Sequence, residues 1–249
     1  MNKERALKII HQNKAVYDSI GNEFADTRQR LWPEIELLVK KYVQPGDKVL
    51  DIGCGNGRLL KVLPKIDYWG VDSSYVLLRR AEKLADELDF ERAYFKNLDM
   101  LRLGELKGNE FDVVFMLASF NHLPSKELRL KVLGEVKKKL RPGGRLIMTN
   151  WNMWQWKAKK SVWYYKFSKR NWLRETKLGL DWKDVLTIWQ SGDKQKQGEL
   201  YYRAFTKREL KGLLRRAGFE VEENYYSSDG QEEAWWRAKN IVTVAKLTD

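Results

Sequence analysis

Apolar positions along the chain switch between two periods. Between residues 7 and 24, Leu7, Ile10, Tyr17, Ile20 and Phe24 keep near-helical spacing and predict one or two helices. Pro33 suits the first turn of a further helix, with Ile35, Leu37, Leu38 and Tyr42 as its apolar residues. After the turn residues Pro45-Gly46-Asp47, short apolar runs alternate with helical stretches. Residues 48–51 read as a buried strand, followed by a glycine loop and a helix carrying Leu59, Leu60, Val62 and Leu63. Residues 68–71 read as a second strand that ends at Asp72, and Ser73 or Ser74 can cap the helix that follows. A short third strand at 93–95 precedes Phe111–Leu117, a continuous apolar run suited to a strand covered on both faces. Pro124-Ser125 opens a helix with Leu128, Val132, Leu133, Val136 and Leu140 at core spacing, and Arg141-Pro142-Gly143-Gly144 turns the chain into a fifth strand at 145–149.

The composition changes abruptly after Asn150. Residues 151–200 hold seven of the eleven tryptophans and eleven Lys/Arg against five Asp/Glu, which reads as an insertion before the sheet resumes. Thr206-Lys207-Arg208-Glu209 has capping-box spacing, and Gly218 is placed to end that helix. Strands at 219–226 and Asn240–Leu247 have no helix between them and should pair antiparallel. Five strand–helix alternations followed by such a hairpin predict an α/β fold, a Rossmann-like doubly wound sheet of seven strands. The expected divisions are a helical segment at 1–44, a cofactor-binding core at 45–150, a Trp/Lys-rich insertion or cap at 151–200, and a C-terminal helix with the end of the sheet at 201–249.

The chemistry begins at Asp51-Ile52-Gly53-Cys54-Gly55-Asn56-Gly57, where a strand turns into a helix. Glycines there permit tight turning and close approach of a ligand to the backbone. A nicotinamide fingerprint would put its last glycine at Arg58, whose bulk opposes close helix–strand packing. Asp51 would repel a pyrophosphate but suits the cationic methionine end of S-adenosylmethionine, so that cofactor is expected. Asp72 can accept both ribose hydroxyls, with Ser73 beside it, or else cap the next helix. Asn97-Leu98-Asp99-Met100 follows the third strand, where Asp99 is the better candidate for the adenine amino group and Leu98 and Met100 for the ring faces. Cys54 reads as a small packing residue. Leu117-Ala118 and the segment through Pro124 should line the reaction centre, where Asn121 and His122 either orient a substrate or accept a proton, or simply cap and pack. The segment lacks the Asn/Asp-Pro-Pro-aromatic motif of enzymes that methylate exocyclic base amines.

Charge and rare residues narrow the partners. A formal net charge of +13 favours polyanions, of which nucleic acid is the commonest inside cells. One cysteine and two distant histidines, His11 and His122, predict no metal site. The charged N-terminus and the absence of a long apolar run point to a cytoplasmic protein without membrane insertion.

Tyr17-Asp18-x-Ile20-x3-Phe24-x2-Thr27-Arg28-x3-Trp32-Pro33 resembles the N-terminal signature of the tRNA wobble-uridine carboxymethyl methyltransferases, a class I S-adenosylmethionine-dependent family. Further similarity lies at Tyr201-Tyr202-x2-Phe205-x3-Glu209-Leu210 and at Tyr225-Tyr226. The resemblance covers residues 10–150 and 198–247 and implies methyl esterification of a carboxymethyl group on the wobble uridine. It also implies Arg28 as a holder of the substrate carboxylate or a phosphate, and a small zinc-binding activator subunit, which some members require. Asn121 stands where the family has the first of two histidines, Arg203 where it prefers His, and Ser227 where it has Asp. These departures, with Arg203 itself, fall near the expected substrate face. Trp151-x2-Trp154-x-Trp156-Lys157 and Lys166-x2-Lys169-Arg170-x-Trp172 interleave rings with cations, a pattern that fits RNA stacking as well as a packed cap. Other readings of the chain are a small-molecule methyltransferase with an aromatic lid and a non-catalytic RNA-binding protein on the same fold.

Overall fold

A computed structural model of the chain describes residues 1–28, 30–156, 162–163, 179–191 and 197–248. The first apolar stripe forms one continuous helix, α1 (Lys3–Asp26), which Asn2 caps by accepting from Arg5 N at 2.9 Å. Pro33 opens α2 (Pro33–Tyr42). Further helices among the described residues include α3 (Tyr75–Glu87), α4 (Lys126–Lys139) and α5 (Lys207–Arg216), capped by Ser74, Ser125 and Thr206. Thr206 Oγ1 accepts from Glu209 N, but the Glu209 carboxylate turns away to cationic partners, so only half of the capping box forms.

Among the described residues the strands are β1 (Lys48–Ile52), β2 (Asp67–Asp72), β3 (Ala93–Asn97), β4 (Phe111–Leu117), β5 (Leu140–Trp151), β6 (Asp184–Gln190), β7 (Gln197–Arg203), β8 (Phe219–Ser228), β9 (Gln231–Glu232) and β10 (Asn240–Leu247). Eight of them form one sheet in the order β3-β2-β1-β4-β5-β10-β8-β9. β1 to β5 are parallel, and β10 runs antiparallel between β5 and β8. The eighth strand is the two-residue β9 at the edge, one more than expected. One face packs Leu50, Val114, Leu146 and Met148 against Val132 and Leu133 of α4 and Leu210 and Leu214 of α5. The other packs Val49, Val113, Phe115 and Ile147 against Ile35, Leu38 and Val39 of α2.

Three local departures from the sequence pattern have physical causes. The helix expected after the glycine loop is a 3-10 turn of five residues, Arg58–Val62. Leu63 is already extended at ψ 140° because Pro64 follows it. Arg141-Pro142-Gly143-Gly144 lies inside β5 as an irregularity, where pairing with β4 jumps from Phe111↔Leu140 to Val113↔Arg145. Within the former tryptophan-rich stretch, β6 and β7 form a separate antiparallel hairpin that packs on α1, with Gly198 against Val16. Among the described residues no helix is long and apolar enough to cross a membrane.

Candidate active site

The sheet reverses direction of strand order between β1 and β4, and a cleft opens beyond the carboxyl ends of these strands. The glycine loop forms its floor. Gly53, Gly55 and Gly57 all have positive φ, at 75°, 56° and 73°. A Cβ on Gly53 would stand 2.5 Å from Ser119 Cβ, and one on Gly57 would stand 2.9 Å from Ala81 Cβ. Gly57 therefore serves helix packing and does not line the cleft. Gly55 meets nothing within 4 Å, so its missing side chain leaves room in the cleft itself. Asn56 ties the loop to the end of α1 by donating to the Ala25 and Arg28 carbonyls, each at 3.4 Å.

Two acids border this floor. Asp51 is 2% exposed, accepts from the Tyr68 hydroxyl at 3.0 Å through Oδ2, and leaves Oδ1 without a partner. Burial raises its pKa to about 7, against the lowering effect of the Tyr68 bond. Asp72 accepts from Gly55 N at 2.9 Å and from Ser74 N at 2.8 Å, so it braces the glycine loop and the start of α3 together. Burial raises its pKa as well. Ser73, Leu98, Asp99, Met100, Leu117 and Ala118 also line the cleft. Asp99 uses Oδ1 to cap the following turn at Leu101 N. Asn97 does not face the cleft; its amide donates to the Asp72 and Ser73 carbonyls and latches β3 to the β2 end. Cys54 is buried, and burial pushes its thiol well above the ordinary range, so it is no nucleophile.

The far end of the cleft is aromatic. Tyr17, Phe24, Trp32, Trp151 and Tyr202 line it together with Arg28. The Arg28 guanidinium lies 5.2 Å from the Phe24 ring centre and 5.6 Å from that of Trp151. His122 lies between Tyr17 and Tyr202. Asn13 Oδ1 accepts from Tyr201 N, which fixes the amide's orientation. His122 Nδ1 lies 2.9 Å from the Tyr201 carbonyl and must donate to it, leaving Nε2 to accept from the Tyr17 hydroxyl at 3.0 Å. Burial lowers the ring's pKa to about 4, so it is neutral and both nitrogens are engaged. It orients its neighbours.

Two expected site residues lie elsewhere. Asn121 is fully buried and joins β5 to β7, accepting from Trp151 N and donating to the Arg203 carbonyl. Arg203 is drawn out of the cleft by acids, pairing with Asp181, Asp184 and Glu209 at 2.9 to 3.1 Å. Burial opposes its charge, but these carboxylates outweigh burial and raise its pKa. Its role is structural.

The residues missed outside the motifs are Asn13, Tyr68 and Arg58; none carries a spacing signal, because α1, β2 and the glycine loop meet only in three dimensions. Of the insertion's tryptophans, Trp151 and Trp154 are half-buried, Trp189 is buried, and Trp156 and Trp182 are exposed. Lys157, Lys166, Lys169, Arg170 and Trp172 lie outside the described residues.

Residues 44–218 match the family model of the methyltransferase domain. The chain belongs to this family. Its cofactor is S-adenosyl-L-methionine. The methyltransferase is similar to the tRNA (carboxymethyluridine(34)-5-O)-methyltransferase of Schizosaccharomyces pombe, 26% identical over 95% of this chain and 97% of that protein. It is 30% identical to the enzyme of that name from Mus musculus, over 74% of this chain but only 24% of that protein. In fold it is similar to a Burkholderia thailandensis 1,6-didemethyltoxoflavin-N1-methyltransferase solved with S-adenosylhomocysteine, at TM-score 0.64 and 18% identity, covering 100% of this chain and 92% of that one. It is equally close, at TM-score 0.64 and 17% identity over 95% and 98% of the chains, to a Haloferax volcanii putative methyltransferase in complex with the activator Trm112.

The site fits the cofactor. Asp51 Oδ1 is a buried carboxylate oxygen without a partner beside the loop, and Gly55 leaves open space in the cleft. Both suit a cationic ligand lying across the floor.

Proposed function

We propose that this methyltransferase esterifies a carboxymethyl group on the wobble uridine of tRNA. The observation that carries the reading is Arg28, stacked on Phe24 and Trp151 at the acceptor end of a cleft whose one histidine is neutral and fully engaged. A carboxylate acceptor has a pKa near ~4 and is ionised at neutral pH, so it needs no general base. It does need a cation to hold it and rings to flank its base. The full-length similarity to the Schizosaccharomyces pombe enzyme of that name supports the same substrate.

Asp51, Gly53, Cys54, Gly55 and Asn56 would hold the methionine end of the cofactor, Asp72 and Ser73 the ribose, and Leu98, Asp99 and Met100 the adenine, with Leu117 and Ala118 beneath. When bound, the cofactor supplies an electrophilic methyl group on a sulfonium. The chain's own work is to bind, align and exclude water: Arg28 fixes the acceptor's anionic group, and Tyr17, Tyr202 and Trp151 close around its ring. His122 holds Tyr17 in position.

The net charge of +13 favours RNA binding. We further propose cytoplasmic action and a small zinc-binding activator subunit; β3 is an outer strand of the sheet with Tyr94 47% exposed, and the Haloferax volcanii fold relative is described as in complex with a methyltransferase activator, Trm112. The test is incubation with radiolabelled cofactor and bulk tRNA from cells lacking this gene, with and without an activator, followed by nucleoside mass spectrometry. Labelled methyl ester at the modified uridine supports the reading. Cofactor binding without any labelling of carboxymethylated tRNA would sink it.

A further inference from the structure

Arg58 opens the 3-10 turn after the glycine loop, and its guanidinium carbon stands 4.8 Å from the Trp32 ring centre. Trp32 meets Trp151 edge to face, 6.5 Å between centres at 73°, and Arg28 covers Trp151 at 5.6 Å. The result is a row of cation, ring, ring and cation along one wall of the cleft. Among the described residues neither guanidinium forms an ion pair with a carboxylate, and Arg58 reaches only as far as the Arg30 carbonyl, at 3.4 Å. Two like charges partly removed from water raise the energy of the empty site. Burial, and then Arg28, lower the Arg58 pKa to about 10 against a weaker raising effect of the Asp51 carboxylate, which leaves it charged at neutral pH. An anion arriving here would relieve both the repulsion and the lost hydration. Stacking fixes the plane of a guanidinium and preorganises its donors for phosphate oxygens.

We infer that Arg58, stacked on Trp32, is a phosphate-binding site at the cleft rim that takes the RNA phosphodiester beside the acceptor nucleotide. Arg28, against Trp151, is left for the acceptor's own anionic group. The inference rests on the RNA reading above and adds to it a residue with a separate task.

The test uses the full chain, with any activator it requires, carrying Arg58→Gln or Arg58→Lys. Measured quantities are tRNA affinity from low to high salt, KM and kcat for tRNA, cofactor affinity by calorimetry, and the melting temperature as a control of folding. Arg58→Gln is expected to raise KM for tRNA about tenfold, the loss of one charge-assisted contact, with kcat little changed. The salt dependence of log K should flatten by about 0.7, one phosphate of a single strand. Cofactor affinity should hold, and Arg58→Lys should recover part of the loss. Unchanged KM and salt slope in Arg58→Gln overturn the inference, as does weakened cofactor binding with intact tRNA binding, which would give Arg58 to the methionine carboxylate. Wild-type protein that neither binds nor methylates tRNA sinks the substrate reading, and this inference with it; normal wild-type turnover with an unaffected variant sinks the inference alone.

Discussion

The Tyr68 hydroxyl donates to Asp51 Oδ2 at 3.0 Å, while Oδ1 of the same carboxylate is buried without a partner. One hydrogen bond does not offset the loss of water around the charge, so burial holds the Asp51 pKa at about 7. In the unfolded chain the same group titrates near ~3.9. Between pH 4 and 7 the folded state therefore keeps a proton that the unfolded chain releases. Stability of the cofactor-free protein should fall as pH rises through that window and level off above it. Asp51→Asn should flatten this slope, leaving the part that buried Asp72 contributes, and raise the melting temperature at pH 8. A melting temperature that climbs from pH 4 to 7 in the wild type, and not in Asp51→Asn, would contradict the burial argument.

The same group should make cofactor binding pH-dependent. A cationic donor favours the ionised carboxylate, so affinity should drop by up to tenfold per pH unit below about 7. S-adenosylhomocysteine, whose sulfur is neutral, should show a shallower dependence. Calorimetry of both ligands between pH 5.5 and 8.5 checks this, and parallel profiles for the two would show that Asp51 does not sense the sulfonium charge.

Gly55 and Gly53 separate ligand space from packing. Both have positive φ, so alanine at either costs roughly 1 kcal/mol in backbone energy. At Gly53 the new Cβ also collides with Ser119 Cβ at 2.5 Å, whereas at Gly55 it enters open cleft. Gly53→Ala should lower the melting temperature markedly. Gly55→Ala should lose only that backbone cost in stability yet lose cofactor affinity tenfold or more, equivalent to about 1.4 kcal/mol. Equal affinity losses with equal destabilisation would mean that Gly55 is only a turn residue.

How far the chain could be read depends on the range of each interaction. The alternating core was legible because parallel strands and their helices are written in local periods, as in Phe111–Leu117 and the Leu128, Val132 and Val136 stripe. The glycine loop and its flanking acids were legible because one strand–turn–helix unit contains them. The β6–β7 hairpin was not, since its identity as a sheet is decided by α1, 188 residues earlier in the case of Asn13 and Tyr201. Sequence proximity likewise did not tell Arg203 from Arg28. Both are arginines in motif-like surroundings, but only the fold brings Asp181, Asp184 and Glu209 around Arg203 and two aromatic rings around Arg28. Family correspondence alone would have put Arg203 in the substrate site.

That acid-bound arginine gives a test of structural against catalytic roles. Glu209 serves Arg203 at 3.0 Å and Lys183 at 2.9 Å, with Arg129 at 3.6 Å. Arg129 and Arg203 are 4% and 9% exposed, so removing the shared carboxylate takes from buried Arg129 its ion-pair partner and leaves Arg203 only Asp181 and Asp184. Glu209→Gln should destabilise by roughly 3–5 kcal/mol, the cost of breaking a buried pair from one side. At a temperature where the variant is folded, its cofactor affinity should equal the wild type's. Denaturant titration paired with calorimetry reads both numbers, and a stable variant with lost cofactor binding would return this cluster to the active site.

His122 offers the sharpest distinction between a base and a brace. With Nδ1–H committed to the Tyr201 carbonyl and Nε2 accepting from Tyr17, a proton on the ring would have to break the Tyr17 bond, and burial keeps the pKa at about 4. At saturating cofactor and acceptor, kcat should therefore show no inflection attributable to an imidazole between pH 5.5 and 8. His122→Gln should lower stability by about 1–3 kcal/mol, because a buried acceptor and donor lose their partners, and should reduce kcat by loosening Tyr17 without changing the shape of the pH profile. An acid limb near pH 6.5 in the wild type that disappears in His122→Gln would make the histidine a proton acceptor after all. It would also remove the argument that the acceptor must arrive already ionised.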